Sequence, residues 1–344
     1  MKLGIIGLPG SGKATIFDAL TKQISDTAHK GDDRIGTIQV PDSRLDTLSE
    51  MHAPPKTTHA QIEYFLPATA AIKKSQIQEQ SIWTAARGCD ALLEVIRNHT
   101  AAGYADKSPY DDYLKLEQEL ILNDLVLAES RLERIEIDHK RGKKMDPEEH
   151  SLLIQCRGHL ENEIPLRKTS DLASARKLKG FEFLSAKPML VLFNNDDDDE
   201  HMPEINALMT HENCLVIRGK LEQELAQMSI EEADEFLNEF NIPESAMDRV
   251  IRKSYQVLGL ISFFTIGKKE IRAWTIHHGT HAVDAADKVH TDMKKGFIRA
   301  EVLSFSDLLD AGTYTNARKK GTVRLEGKTY EVQDGDIINF RFNV

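Results

Sequence analysis

The stretch Gly7-Leu8-Pro9-Gly10-Ser11-Gly12-Lys13-Ala14-Thr15 decides the fold. It follows an apolar run, Leu3 to Ile6, and opens into a helix-like segment, Ala14-Thr15-Ile16-Phe17-Asp18-Ala19-Leu20. Strand, glycine-rich turn and helix, in that order, are the setting that makes a G-x-x-x-x-G-K pattern a phosphate-binding loop. Glycines let backbone N–H groups converge on phosphate oxygens, and the helix N-terminus adds the positive end of its dipole. Lys13 is expected to bridge the β- and γ-phosphates. The next position ordinarily gives Mg²⁺ a Ser or Thr hydroxyl, and here it is Ala14, a methyl group. The candidate nucleotide-binding residues of the loop are Pro9, Gly10, Ser11, Gly12, Lys13, Ala14 and Thr15. Thr15 stands about 100° further round the helix and is poorly placed to replace the missing hydroxyl.

A chain of 344 residues is too long for one typical core, so two or three domains are expected. With 40% hydrophobic and 29% charged residues its composition is that of ordinary globular proteins. No run approaches the roughly 20 apolar residues of a membrane-spanning helix. Met1-Lys2-Leu3 runs straight into the first strand, which leaves no room for a cleavable signal. Cys89, Cys156 and Cys214 lie far apart without C-x-x-C spacing and read as reduced thiols. A cytoplasmic protein without a membrane partner is the expectation. The net charge of −11 is uneven: from Lys268 onward there are 13 Lys and Arg against 11 Asp and Glu. Any nucleic-acid contact is therefore expected at the C-terminal end, and no DNA specificity is evident.

Ala91-Leu92-Leu93-Glu94-Val95-Ile96 and Pro188-Met189-Leu190-Val191-Leu192-Phe193 read as buried strands. With helical segments between strands, a mainly parallel sheet covered by helices follows. Tyr110 to about Lys140 carries Leu114, Leu116, Leu120, Leu125, Leu132 and Ile135 among charges, without Pro or Gly, as a long amphipathic helix does. Arg141 to Pro147 interrupts it, and Pro147 suits the first turn of a second helix reaching about Glu163. The pair forms a helical hairpin, which serves either as a packing arm or as a protruding interaction surface. From Gly267 the texture changes to short strands, Ile271–Ile276, Phe297–Val302 and Ile337–Phe342, interrupted by one helix, Ala282–Val289. The expected division is a nucleotide-binding domain of residues 1–105 and 180–266, an inserted α-helical, coiled-coil arm of 106–179, and a C-terminal α+β domain of 267–344.

The chain resembles the YchF / Obg-like ATPase family of translation-factor-class P-loop proteins over nearly its whole length. The C-terminal third carries the strongest part: Leu258-Gly259-Leu260, Phe264-Thr265, Glu270 to Thr275, His290-Thr291-Asp292, Lys295 to Val302, Arg324 to Lys328, Asp334-Gly335-Asp336 and Phe340 to Val344. Val40 to Leu45, Arg87 to Ala91 and Arg131 to Arg134 also look like family segments. The resemblance implies an α/β P-loop NTPase domain, an inserted helical hairpin arm and a C-terminal β-grasp (TGS-like) domain. It also implies ATP or GTP as ligand.

The departures from the family pattern fall on the metal side. The family's loop ends Gly-Lys-Ser-Thr, against Gly12-Lys13-Ala14-Thr15 here. Its second strand ends in an Asp that reaches the metal through water, and Leu66 occupies that position, with Thr69 at the family's Gly. The first-switch run with its metal-closing Thr is missing from a shortened segment between Ala19 and Gly36, and the second switch is cut down to Ala70–Gln80. Three losses together remove the support for Mg²⁺ and predict hydrolysis that is slow or absent. No residue stands out as catalytic, and no metal ligand is assigned.

Base recognition is expected at Asn194, Asn195 and Asp197, in register with the family's Asn-x-x-Glu, with Arg218 to Glu222 in the place of the base-flanking loop. Asp197 is one methylene shorter than Glu and can accept hydrogen bonds from guanine N1–H and its exocyclic amine, so the choice between ATP and GTP stays open. In the C-terminal domain, Lys294, Lys295 and Arg299, with the run Arg318-Lys319-Lys320, are candidates for an RNA-facing patch. His277-His278-Gly279-Thr280-His281 reads as a solvent-facing turn, and Trp83 and Trp274 as core. Two functions remain: a nucleotide-binding, ribosome- or RNA-associated factor, and a pseudo-NTPase scaffold that no longer binds nucleotide.

Overall fold

Leu3, Ile5 and Ile6 are buried because the strand that carries them lies inside a six-stranded sheet, with a parallel neighbour on each side. The computed structural model describes residues 1–22, 32–68, 76–101, 103–104, 106–204, 212–240, 242 and 244–343; of residues 76–81 and 230 only the backbone is described. The segments proposed as degenerate switches, including Thr69, therefore lie mostly outside the described residues, as does Val344. The chain divides into two compact units.

The first unit holds Met1–Thr37 and Glu63–Val250. Its six-stranded sheet uses β1 (Lys2–Ile6), β2 (Arg34–Gln39), β4 (Gln61–Leu66), β5 (Ala91–Asn98), β6 (Met189–Asn195) and β7 (Asn213–Ile217) in the order β2-β4-β1-β5-β6-β7. β3 (Thr57–Thr58) belongs elsewhere. The pairs β4–β1, β1–β5, β5–β6 and β6–β7 are parallel, so the C-terminal ends of β1, β5 and β6 share one edge. Ligands of open α/β sheets bind at that edge. Helices α1 (Lys13–Thr21) and α3 (Gln76–Arg87) follow β1 and β4, while α2 (Ser43–His52) lies in the other unit.

The expected hairpin is α4 (Pro109–Lys140) and α5 (Pro147–Glu161). Thirty-two residues make α4 about 48 Å long. Its inner face, Ile121, Ala128, Leu132 and Ile135, packs on Leu153, Cys156 and Leu160 of α5. Asp146 caps α5 by accepting from the amides of Glu148 and Glu149. Two buried polar clusters fasten the base of α4. Asp124 accepts from Arg87 (2.8 Å) and from the amides of Leu184 (3.0 Å) and Ser185 (2.7 Å). Arg167 joins Glu117 and, at 3.1 Å, Glu212, while Tyr113 donates to Glu117 at 3.0 Å. The chain returns through a short turn, α6 (Ser170–Ser174), then β6, β7, α7 (Gly219–Leu225), α8 (Ile230–Glu239) and α9 (Ala246–Val257).

The second unit holds Ile38–Ile62 and Ile251–Val344. Its strands are β3, β8 (Leu260–Ile266), β9 (Ile271–His277), β10 (Phe297–Ser304), β11 (Arg324–Glu326) and β12 (Asp336–Phe342), in the order β11-β10-β12-β8-β9-β3. Around α10 (Ala282–Val289) this mixed sheet buries Phe263, Ile276, Ala300, Val302, Ile338 and Phe340. Two expectations need correction. The boundary expected at residue 266 cuts off β8, which hydrogen-bonds to both β9 and β12 inside this sheet. Residues 38–62 also join this unit through β3 against β9 and through Arg44 to Asp334 at 2.8 Å, pairings that link positions more than 200 residues apart. Among the described residues α11 (Thr291–Lys295), α12 (Phe305–Ala311) and α13 (Tyr314–Lys320) stand beside α10, where one helix was expected. No described helix is long and apolar enough to cross a membrane.

One core residue contradicts the apolar pattern of its strand. Glu94 in β5 is 0% exposed, and neither carboxylate oxygen has a hydrogen-bond partner. It lies between Ile6 of β1 and Val191 of β6 in the sheet register. Burial pushes its pKa well above 4.5, and the charges of Glu117 and Glu212 add to the rise while Arg167 opposes it. The unfolded chain ionises this group near 4.5, but the fold keeps it protonated to higher pH. Its stabilising contribution is therefore complete below pH 4.5 and is lost as pH climbs toward the folded pKa, at up to ~1.4 kcal/mol per pH unit. Glu94→Gln is expected to melt at a higher temperature than the parent at pH ~7, with the gap closing toward pH 4.5. Parallel melting curves for the two proteins across that range, measured by calorimetry, would contradict this account.

Candidate nucleotide-binding site

β1 ends at Ile6, and the loop that follows turns back so that α1 starts at Lys13. Gly12 caps α1 with φ 95°, and a Cβ there would lie 2.2 Å from Asn194 Nδ2, so the position requires glycine twice over. Ile16 N donates to Gly12 O at 2.9 Å, which begins the helical ladder, so the amides of Lys13 to Thr15 have no acceptor within the helix and suit an anion, while Ser11 N donates to Leu8 O at 3.2 Å. Behind the loop, buried Asp18 of α1 pairs with Arg34 at 2.5 Å and accepts from Gln223 at 3.3 Å.

Lys13 donates from Nζ to Gly7 O at 2.6 Å and to Leu8 O at 2.8 Å. An ammonium has three donors. Two are spent on the loop's own carbonyls, which pins the head group across the loop and leaves one N–H to meet a phosphate. Burial lowers the Lys13 pKa to about 8. Ser11 is 1% exposed, and its Oγ has no hydrogen-bond partner. A buried hydroxyl left unpaired inside a cradle of amides fits a missing polar ligand. The loop thus suits the phosphate tail of a nucleotide.

On the metal side the chemistry differs. Ala14 is exposed and offers only a methyl group. Leu66, at the end of β4, is buried at 6% exposure and has no oxygen in its side chain. Among the described residues no cluster of three or more His, Cys, Asp or Glu is placed to hold a metal ion. Thr15 is partly buried on α1.

The ends of β5 and β6 bring the base-side candidates to the same edge. Arg97 and Asn98 pair in register with Asn194 and Asn195. Asn194 donates to Ser11 O at 3.0 Å and accepts from Gly219 N at 2.9 Å, so one buried amide ties the phosphate loop to the loop that opens α7. Gly219 is required by the same contact, since a Cβ there would meet Asn194 Oδ1 at 2.7 Å. Asn195 accepts from Asn98 at 2.9 Å and donates to Asp199 O and His201 O. The acidic run divides by role. Asp196 accepts from Thr100 N at 2.9 Å and pairs with Lys107 at 3.2 Å, and Asp199 accepts from His201 N. Asp197 is exposed, with Lys220 Nζ 3.9 Å away.

The C-terminal candidates fare differently. Lys294 is engaged by Asp284 (3.0 Å) and Asp287 (3.1 Å), and Lys295 lies 3.9 Å from Asp292. Arg299 makes no ion pair among the described residues. It sits directly across from Arg341 in the β10–β12 register, hence on the same face. Arg341 and Arg318 share buried Glu301. Burial raises the Glu301 pKa, but Arg341, Arg318 and Asn339 outweigh it and hold the carboxylate below its ordinary range. Three guanidinium groups against one carboxylate leave this face cationic. Sequence spacing missed Arg341, because the pairing spans some 40 residues.

A triphosphate binds the charged form of Lys13, so binding raises the pKa of about 8 and draws a proton onto the complex. Affinity is expected to fall as pH rises through about 8, with proton uptake visible as a buffer-dependent heat in calorimetry. Asn194→Ala leaves Ser11 O and Gly219 N without their partner and is expected to cost about 1–3 kcal/mol of stability in chemical denaturation.

A family model described as "YchF-GTPase_C: Protein of unknown function (DUF933)" matches residues 260–343. The chain is 36% identical over 364 residues to the "Ribosome-binding ATPase YchF" of Bacillus subtilis (strain 168), covering 99% of both chains. It is 36% identical over 362 residues to the protein of the same name from Escherichia coli O157:H7, covering 100% of this chain and 99% of the other. The structure described as that of the Schizosaccharomyces pombe YchF GTPase superposes with a TM-score of 0.85 at 26% identity, over 99% of this chain and 97% of that one. Phosphate loop, sheet order and full-length similarity agree: the chain belongs to the YchF family of P-loop NTPases.

Proposed function

We propose that this protein binds ATP or GTP through the phosphate loop of its first unit without a side-chain cradle for Mg²⁺, and that it acts as a ribosome- or RNA-associated factor. The observation that carries the reading is the contrast within one loop. Lys13 is pinned in place with a donor to spare and Ser11 Oγ waits unpaired, while Ala14 and Leu66 put carbon where metal ligands are expected. Phosphoryl transfer in this class depends on positioning and on the metal's neutralisation of charge between the β- and γ-phosphates. Without that, hydrolysis is several orders of magnitude slower or absent, since each ~1.4 kcal/mol of barrier is about tenfold in rate. The residues proposed to hold nucleotide are those from Pro9 to Thr15, with Asn194, Asn195 and Asp197.

The second unit is read as the TGS-like β-grasp domain, with α4 and α5 as the inserted arm. The curated bacterial relatives are named ribosome-binding, which supports a ribosomal partner here. The cationic face of Arg299, Arg318 and Arg341 supports RNA phosphates as what that domain touches.

Isothermal titration with ATP, GTP, ADP and GDP, with and without Mg²⁺, tests the reading. Triphosphate affinity that changes little on adding Mg²⁺ is expected. Fast Mg²⁺-dependent turnover would overturn it, and the absence of binding by every nucleotide would leave only the scaffold function. Asp197→Ala is expected to weaken GTP by about tenfold or more and ATP hardly at all if Asp197 accepts from the base edge. For the partner, co-sedimentation with ribosomes should weaken in Arg299→Glu and fall steeply with added salt. Co-sedimentation unchanged in an Arg299→Glu, Arg341→Glu double variant would assign the contact elsewhere.

A further inference from the structure

Between β5 and α4 the chain carries an aromatic residue onto the phosphate loop. A Cβ built on Gly10 would lie 2.6 Å from Cε1 and 2.6 Å from Cζ of Tyr104, so the phenol edge rests on the Gly10 backbone. Cζ is the carbon that bears the hydroxyl. The ring is half exposed, and the hydroxyl makes no hydrogen bond among the described residues.

This placement is fastened from several sides. Thr100 N donates to Asp196 at 2.9 Å, and Lys107 Nζ reaches Asp196 at 3.2 Å and Asn98 O at 3.2 Å. One carboxylate at the end of β6 thereby clips the connection on both sides of Tyr104. Buried Arg97 donates to Asp106 O at 3.2 Å, and its guanidinium lies 5.6 Å from the Tyr104 ring centre. Tyr104 N donates to Ala101 O at 3.2 Å, which closes a turn.

We propose that Tyr104 is a nucleotide-contacting residue whose hydroxyl donates a hydrogen bond to the phosphate tail beside Gly10. The proposal rests on the nucleotide-binding reading above. A phenol is suited to this position because it supplies a donor and no negative charge near neutral pH. A hydrogen bond to a charged oxygen is stronger than one between neutral groups. The donor lies next to a loop that has lost the hydroxyl ordinarily following its lysine. Asp196 then has a defined part: it keeps Tyr104 seated against the loop.

The test is calorimetric titration of the full chain with ATP and GTP, using the parent, Tyr104→Phe, Tyr104→Ala and Lys13→Ala. Tyr104→Phe is expected to weaken triphosphate binding about tenfold or more and leave the melting temperature unchanged. Tyr104→Ala is expected to weaken it at least as much. A Tyr104→Phe protein that binds like the parent overturns the proposal, whatever Tyr104→Ala does, because the ring would then act by packing alone. Loss in Lys13→Ala with no loss in Tyr104→Phe preserves nucleotide binding and sinks only this inference. A parent that binds no nucleotide sinks both.

Discussion

Two pieces of backbone from distant parts of the first unit meet at the side chain of Asn194. Its amide nitrogen holds the carbonyl of Ser11 and its oxygen holds the amide of Gly219, with little exposure to solvent. A buried amide satisfied at both ends is worth keeping only if its partners stay in place, because an unpaired donor or acceptor in that interior costs more than the bond itself gains. The consequences reach outward. Gly12 and Gly219 have no room for a side chain, Lys13 begins its helix at a fixed angle, and its head group falls within reach of Gly7 O and Leu8 O. The phosphate loop is thus held from behind by the sheet edge, independently of any ligand in front of it.

A second constraint governs the arm. A helix of 32 residues packs its first turns on the sheet, through Tyr113, Leu116 and Leu120, and its far end on its hairpin partner. Its base is secured by buried polar groups as well as by apolar packing. Asp124 satisfies Arg87 and two backbone amides, and Arg167 gathers Glu117 and Glu212. These clusters fix orientation where oily side chains could slide. Glu94 differs from them: neither of its oxygens is bonded, and burial raises its pKa.

The two sides of the candidate site obey different chemistry. Backbone amides and a lysine can hold an anion in almost any sequence that adopts the turn, because the donors belong to the main chain. Metal binding depends on particular oxygens from particular side chains. Ala14, after the loop's lysine, and Leu66, at the end of β4, bring no side-chain oxygen to either place. Binding and turnover can therefore separate within a single fold.

The local pattern of the chain was enough to set the loop, the mainly parallel sheet, the hairpin read from Tyr110 to about Glu163 and the family, since strand, turn and helix signals are short-range and each lies within one segment. That Ala14 and Leu66 carry no side-chain oxygen was also legible, being a matter of residue identity. Pairing across long separations was not. Spacing gave no sign that β8 belongs to the second sheet, that residues 38–62 join it, that Arg341 stands opposite Arg299, that Asp284 and Asp287 take up Lys294, or that Tyr104 lies on Gly10. Those contacts depend on register and on loop closure, whose free energies are set by the whole folded chain and leave no mark on any single stretch of it.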